Sequence, residues 1–158
     1  MTTHHAGTLR AVRTLLKQDE DRLYEELGKR ARAMAANPKV AASFAPRVIY
    51  EKRTMGILDD LREFGRRLFR RWNEEAYNLV CGSQARDEKD RKDLLEAVGI
   101  GDAAVVAAVI SGGLVAYLGV APALAAVIAA LIVKRFWRPT YAEFCHCWKR
   151  AVRRRASR

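Results

Sequence analysis

The strongest hydrophobic pattern in the chain is the run of residues 103–133, which carries no charged side chain. Only Ser111 and Tyr117 bring polar side-chain atoms into it. Runs of 18 or more apolar residues are typical of membrane-spanning helices, because the apolar layer of a bilayer is ~30 Å thick and an α-helix rises 1.5 Å per residue. A single helix over this run would be about 46 Å long, so the run predicts more than one helix.

A turn is predicted at residues 119–122, near the middle of the run. Gly119 can adopt turn conformations that other residues avoid. Pro122 disfavours helical conformation at Ala121 but suits the first turn of the helix that follows. The run is therefore predicted to form two helices, residues 103–118 and 122–137, that pair as a hairpin.

An amphipathic pattern fills the start of the chain. Apolar residues at three- and four-residue spacing predict one long helix over residues 9–36, capped by Thr8 and stopped at Asn37 and Pro38. Residues 39–53 have mixed character and are predicted to form a short turn of helix followed by a connector.

Two further helices are predicted before the hairpin. The first covers residues 55–80, with Thr54 as its cap and Gly82 after its end. The second is short and charged and covers residues 87–98. Asp102 then supplies the cap of the first hairpin helix.

After the hairpin, Pro139 ends the helix, and the spacing of Thr140 and Glu143 is that of a capping box, which predicts a last helix over residues 141–152. The fold class is therefore all-α. It is a bundle of amphipathic helices with a hydrophobic helical hairpin that is either central or membrane-inserted. Three regions follow: a charged amphipathic region (1–101), the hairpin (102–138), and a basic C-terminal helix and tail (139–158).

Charge is concentrated at the C-terminal end of the chain. Of the formal net charge of +11, residues 134–158 contribute nine basic groups against one acidic group. Such a segment attracts polyanions, either nucleic acid or an anionic lipid surface. The first twenty residues lack the apolar core of a secretory signal, so we expect the body of the protein in the cytosol and its three cysteines as free thiols.

The hairpin admits two interpretations. A helix that is apolar on all sides is either a membrane span or the centre of a larger fold, and we favour membrane insertion because full burial of two such helices is unusual in a chain of this size. Small residues at helical spacing would let the two helices approach closely in lipid. The predicted membrane-inserting residues are Ala104, Ala108, Gly112, Ala116, Gly119, Pro122, Ala125 and Ala129.

The arrangement of an Ala-, Gly-, Val- and Leu-rich hairpin between amphipathic helices resembles that of colicin-type pore-forming domains. The resemblance covers the hairpin region alone. It implies a hairpin that is sheathed by amphipathic helices in water and released into lipid.

Basic and aromatic residues flank the hairpin in a pattern typical of a membrane interface. The helix over residues 55–72 sets apolar residues against arginines, as interfacial helices do. Aromatic and basic residues also cluster directly after the hairpin, where a span would have to end. The predicted membrane-interface residues are Arg62, Arg66, Arg70, Trp72, Lys134, Arg135, Trp137, Arg138 and Trp148.

No catalytic motif is recognisable, so we predict a non-enzyme without cofactor. The segment Cys145-His146-Cys147 does not predict a metal site, because helical residues two apart point to nearly opposite sides. Phosphate-binding loops, serine-nucleophile motifs and zinc-binding HExxH motifs are absent from the sequence.

The sequence therefore predicts a protein that inserts a helical hairpin at the cytoplasmic side of the cell membrane, with both termini cytosolic. It would act as a membrane-perturbing or pore-forming effector, or as a membrane-anchored subunit. Partners would be the anionic lipid face and further copies of the chain. One alternative is a cytoplasmic, soluble helical adaptor whose protein partner binds the helix of residues 9–34. Another is nucleic-acid binding through Arg150 and residues 153–155, although no specific nucleic acid is expected.

Overall fold

The protein is described by a computed structural model over residues 2–82, 96–97, 101–138 and 140–156. Within these ranges all regular secondary structure is helical and no strand is present, which confirms the all-α class. The helices are α1 (Thr2–Leu16), α2 (Glu20–Ala36), α3 (Lys52–Met55), α4 (Leu58–Cys81), α5 (Ala103–Leu118), α6 (Pro122–Phe136) and α7 (Tyr141–Ala156), with a 3-10 helix at Pro38–Ala42. The predicted helix over residues 87–98 lies outside the described residues, except that residues 96 and 97 are helical.

The prediction of one long helix over residues 9–36 is wrong, because the chain breaks between α1 and α2. Asp19 caps α2, and its carboxylate accepts a hydrogen bond of 2.8 Å from the backbone N–H of Arg22. Glu20 and Asp21 follow in the first turn, where negative charge is favourable. This local start signal overrides the apolar periodicity that runs on through the break.

The start predicted for the second amphipathic helix is also wrong. Thr54 lies inside α3, which ends at Gly56 with a φ of 84°. After Ile57, α4 begins without a side-chain cap. Its end is as predicted, because the backbone N–H of Gly82 donates to the carbonyl of Asn78 at 2.9 Å.

The hairpin forms as predicted. The Asp102 carboxylate accepts from the backbone N–H of Ala104 at 2.9 Å and so caps α5. Gly119 ends α5 in the left-handed region, with a φ of 67°, and Pro122 occupies the first turn of α6. The capping interaction of Thr140 is also present, at 3.2 Å from the N–H of Glu143, and α7 extends to Ala156 rather than to residue 152.

The second hairpin helix, α6, forms the centre of the bundle. Eleven of its fifteen residues are buried, so it has no solvent-facing side over most of its length. Helices α1, α2 and α5 pack along it, and α4 and α7 contact it as well. The bundle therefore adopts the central-hairpin form of the predicted fold.

The helices packed around the hairpin, α1, α2, α4 and α7, form its sheath. Within the sheath α2 and α4 pack closely, because each has a glycine that faces the backbone of the other helix. A Cβ atom at Gly28 would overlap the carbonyl of Leu61, and a Cβ atom at Gly65 would overlap the carbonyl of Tyr24. Only glycine permits this approach, so the two glycines allow α2 and α4 to pack tightly beside α6.

The last helix is held against α4 by a disulfide between Cys81 and Cys145. The expectation of three free thiols is therefore wrong, and Cys147 is the one cysteine left unpaired. A second link is a buried hydrogen bond of 2.8 Å, in which the indole N–H of Trp148 donates to the side-chain oxygen of Asn73. These two links join α7 to α4.

We expect Asn73→Ala to lower the free energy of unfolding by about 1–3 kcal/mol, because the buried indole N–H of Trp148 would lose its acceptor. Urea unfolding followed by tryptophan fluorescence measures the change. Asn78→Ala is the matched control, since Asn78 is exposed on the same helix. Equal unfolding midpoints for the two variants would contradict the prediction.

Candidate functional site

The two hairpin helices are shorter than the apolar layer of a bilayer. α5 has 16 residues and α6 has 15, which gives lengths of about 24 Å and 22 Å against ~30 Å. In the described part of the chain, no helix combines the length and the apolar character that crossing a membrane requires.

The predicted membrane-inserting residues fall into a buried and an exposed group. Ala125 and Ala129 on α6 are fully buried, and Ala104 and Ala108 on α5 are buried against the bundle. Exposed positions on the hairpin are Gly112, Ala116 and Gly119, while Pro122 is half-buried. The four small residues of α5 therefore do not form one stripe, because positions four apart rotate progressively around a helix with 3.6 residues per turn.

The outer side of α5 is an apolar surface. Val105 and Val109 are partly exposed there, and Gly112 and Ala116 continue the same line toward the turn. Tyr117 beside them is 50% exposed. α5 thus presents apolar groups on both sides, one toward α6 and one outward.

Polar contacts join the surrounding helices to both ends of α6. The buried guanidinium of Arg30 on α2 donates to the carbonyls of Ala123 and Phe44, each at 2.9 Å, and pairs with Glu26. Burial lowers the pKa of Arg30, and Glu26 opposes that shift. At the other end of α6, Lys134 donates to the carbonyl of Leu16 at 3.0 Å.

Some of the predicted interface arginines of α4 contact the neighbouring helix α2. Arg62 binds Glu25 on α2 at 2.6 Å, and Arg66 binds Asp21 at 3.0 Å. Arg70 is exposed, and Trp72 is half-buried. In this folded state, two of the three arginines therefore serve the contact between α4 and α2.

The predicted interface residues that follow the apolar run lie around the C-terminal end of α6. Arg135 donates to the Tyr24 hydroxyl at 2.8 Å and lies over the Phe69 and Phe136 rings. Burial raises the pKa of Tyr24, and the positive charge of Arg135 opposes that rise. Lys134 and Arg138 are exposed, Trp137 is half-buried, and Trp148 lies wholly in the core.

Four of the predicted interface arginines are brought together at two adjoining cavities beside this end of α6. Arg66, Arg70, Arg135 and Arg138 line them. Arg150 and Arg154 on α7 join the same walls, and the sequence did not place them there. Their four-residue spacing puts them on one face of α7, but it does not indicate which helices that face meets.

No grouping of side chains in the described residues suits metal binding, and Cys145 is committed to its disulfide. Comparison with protein-family models, with curated proteins and with solved structures finds no match for this chain.

Proposed function

We propose that this protein binds anionic membrane surfaces and inserts its α5–α6 hairpin into the lipid as a membrane-perturbing element. The observation that carries the proposal is the apolar outer side of α5, which adjoins an uncharged turn and a central helix without a polar face. Loosening of the sheath would expose α6 as well, so that the whole hairpin becomes an apolar unit.

The distribution of charge supports the proposed orientation. Lys134 and Arg135 lie in the last turn of α6 and Arg138 follows it, whereas the turn at residues 119–122 has no charged group. A hairpin that enters with its turn first keeps these basic residues at the lipid phosphates. Its helices are short for a full crossing, so local thinning of the bilayer would accompany insertion.

Gly112→Arg tests insertion without disturbing the folded bundle. A Cβ atom at Gly112 meets no neighbouring atom within 4 Å, so the arginine can extend into water. In the centre of a lipid-inserted helix the same charge costs ~2.5–3.5 kcal/mol. We expect Gly112→Arg to be at least as stable as the parent and to release at least about tenfold less dye from anionic vesicles.

Gly112→Leu is the matched control for this experiment, because it changes the same backbone position and keeps the helix apolar. We expect it to retain the dye release of the parent. Equal release by Gly112→Arg and the parent, at equal bound protein, would rule out insertion of α5.

The second candidate is a soluble helical protein that acts by binding another protein. The almost complete burial of α6 favours it, since such a helix is also the core of a stable bundle. Vesicle flotation separates the two candidates: a parent protein that never floats with anionic vesicles supports the adaptor. Partner binding along α1 and α2, and self-association in lipid, stay predictions.

The side of the membrane is a separate prediction. The sequence predicts the cytoplasmic side, whereas disulfides persist mainly in oxidising compartments. Rapid alkylation of the thiols in intact cells, followed by mass measurement, reports whether Cys81 and Cys145 form their disulfide in the cell.

A further inference from the structure

A cluster of arginines surrounds a groove at the C-terminal end of α6. The groove consists of two adjoining cavities of about 360 Å³ and 620 Å³, which share Glu20, Arg135 and Ala151 in their walls. Helices α2, α4, α6 and α7 contribute to it. The arginines in its walls are Arg66, Arg70, Arg135, Arg138, Arg150 and Arg154.

The acidic groups in the groove do not balance these arginines. Glu20, Asp21 and Glu143 are the carboxylates in its walls, and Asp21 already binds Arg66. Within the described residues, neither Arg70 nor Arg150 pairs with a carboxylate. Arg70 and Arg150 therefore bring positive charge into the groove that no carboxylate neutralises.

Arg135 is fixed at the junction of the two cavities. Its guanidinium is held by the Tyr24 hydroxyl and by the faces of Phe69 and Phe136, so it loses little freedom when a ligand binds. Arginine binds phosphate oxygens through paired N–H groups, and several arginines around one cavity suit a ligand with several phosphates.

We propose that this groove binds a compact ligand that carries two or more phosphate groups. The combined cavities are large enough for a small ring with its phosphates, as in a polyphosphorylated inositol. The same chemistry occurs in a soluble polyphosphate and in the headgroup of a phosphoinositide lipid. This inference does not depend on hairpin insertion, because the groove is complete in the folded bundle.

Calorimetric titration of the full chain with soluble inositol trisphosphate is the first experiment. The test variant is Arg70→Gln/Arg150→Gln, which removes one groove arginine from each of α4 and α7. The control is Arg67→Gln/Arg153→Gln, which removes two exposed arginines of the same helices that line neither cavity. We expect the test variant to bind about tenfold more weakly or worse, and the control to stay within about twofold of the parent.

Flotation with vesicles of equal net charge separates the two sources of the ligand. One vesicle contains phosphatidylinositol bisphosphate, and the other contains only phosphatidylserine as its anionic lipid. Preference for the first vesicle, lost in Arg70→Gln/Arg150→Gln but kept in the control, identifies the lipid headgroup. Binding of inositol trisphosphate without that preference identifies a soluble ligand.

Equal weakening by the two double variants would overturn the groove, since diffuse surface charge would then explain the binding. Absence of parent binding in both the titration and the vesicle experiment would overturn it as well. Neither result depends on dye release, so failure of the groove and failure of hairpin insertion are distinguishable. Arg70→Lys/Arg150→Lys keeps the charge and is expected to bind between the parent and the glutamine variant.

Discussion

Gly65→Ala is expected to lower the free energy of unfolding by about 3 kcal/mol, although it adds a single methyl group. That methyl would occupy the position of the Tyr24 carbonyl on α2. A backbone carbonyl in a helix cannot rotate away, so α2 and α4 would have to separate. Chemical unfolding followed by circular dichroism measures the loss.

Gly112→Ala is the control, because its free energy of unfolding is expected to change in the opposite direction. It is also a helical glycine, but nothing lies within 4 Å of its Cβ position. Glycine in an open helical position costs roughly 0.5–1 kcal/mol relative to alanine, so this variant should be more stable than the parent. A Gly65→Ala protein as stable as Gly112→Ala would show that α2 and α4 do not pack through these glycines.

The hairpin was predictable from the sequence because its signals are local. Both helices begin and end within one residue of their predicted bounds. The signals are Asp102 before an uncharged run, Gly119 in its middle and Pro122 three residues later. Its burial at the centre of the bundle was only one of two predicted arrangements, since apolar character alone suits lipid and protein core equally.

The break between α1 and α2 had a local signal that apolar periodicity concealed. Asp19, followed by Glu20 and Asp21, is a typical helix start. The apolar residues of both helices pack on the same core, so their spacing continued across the break. The capping residues therefore carried the information that the periodic pattern lacked.

Contacts between distant segments could not be predicted from spacing. Cys81 and Cys145 are 64 residues apart, and their pairing depends on how α7 lies on α4. The arginine groove likewise combines residues of α4, α6 and α7. Trp148 was predicted at a membrane interface but lies in the core, where Asn73 supplies the buried partner that its indole N–H requires.

Removal of the Cys81–Cys145 disulfide is expected to lower the free energy of unfolding by about 2–4 kcal/mol, because the bond closes a long loop in the unfolded chain. The variant for this test is Cys81→Ser/Cys145→Ser, with Cys147→Ser as its control, since Cys147 is unpaired. A reducing agent should destabilise the parent and the control by the same amount and leave the double variant unchanged. A parent whose unfolding midpoint does not respond to the reducing agent would contradict the pairing.

The loss should be concentrated in α7, because its other links to the bundle are few. Trp148 packs against Tyr77 at 5.5 Å and Phe136 at 5.7 Å between ring centroids, so its near-ultraviolet circular dichroism reports on the docking of α7. Helices α1, α2, α5 and α6 pack with one another without α7. We therefore expect the double serine variant to lose near-ultraviolet signal at lower urea concentration than far-ultraviolet signal. Coincident transitions would show instead that α7 and the rest of the bundle unfold as one cooperative unit.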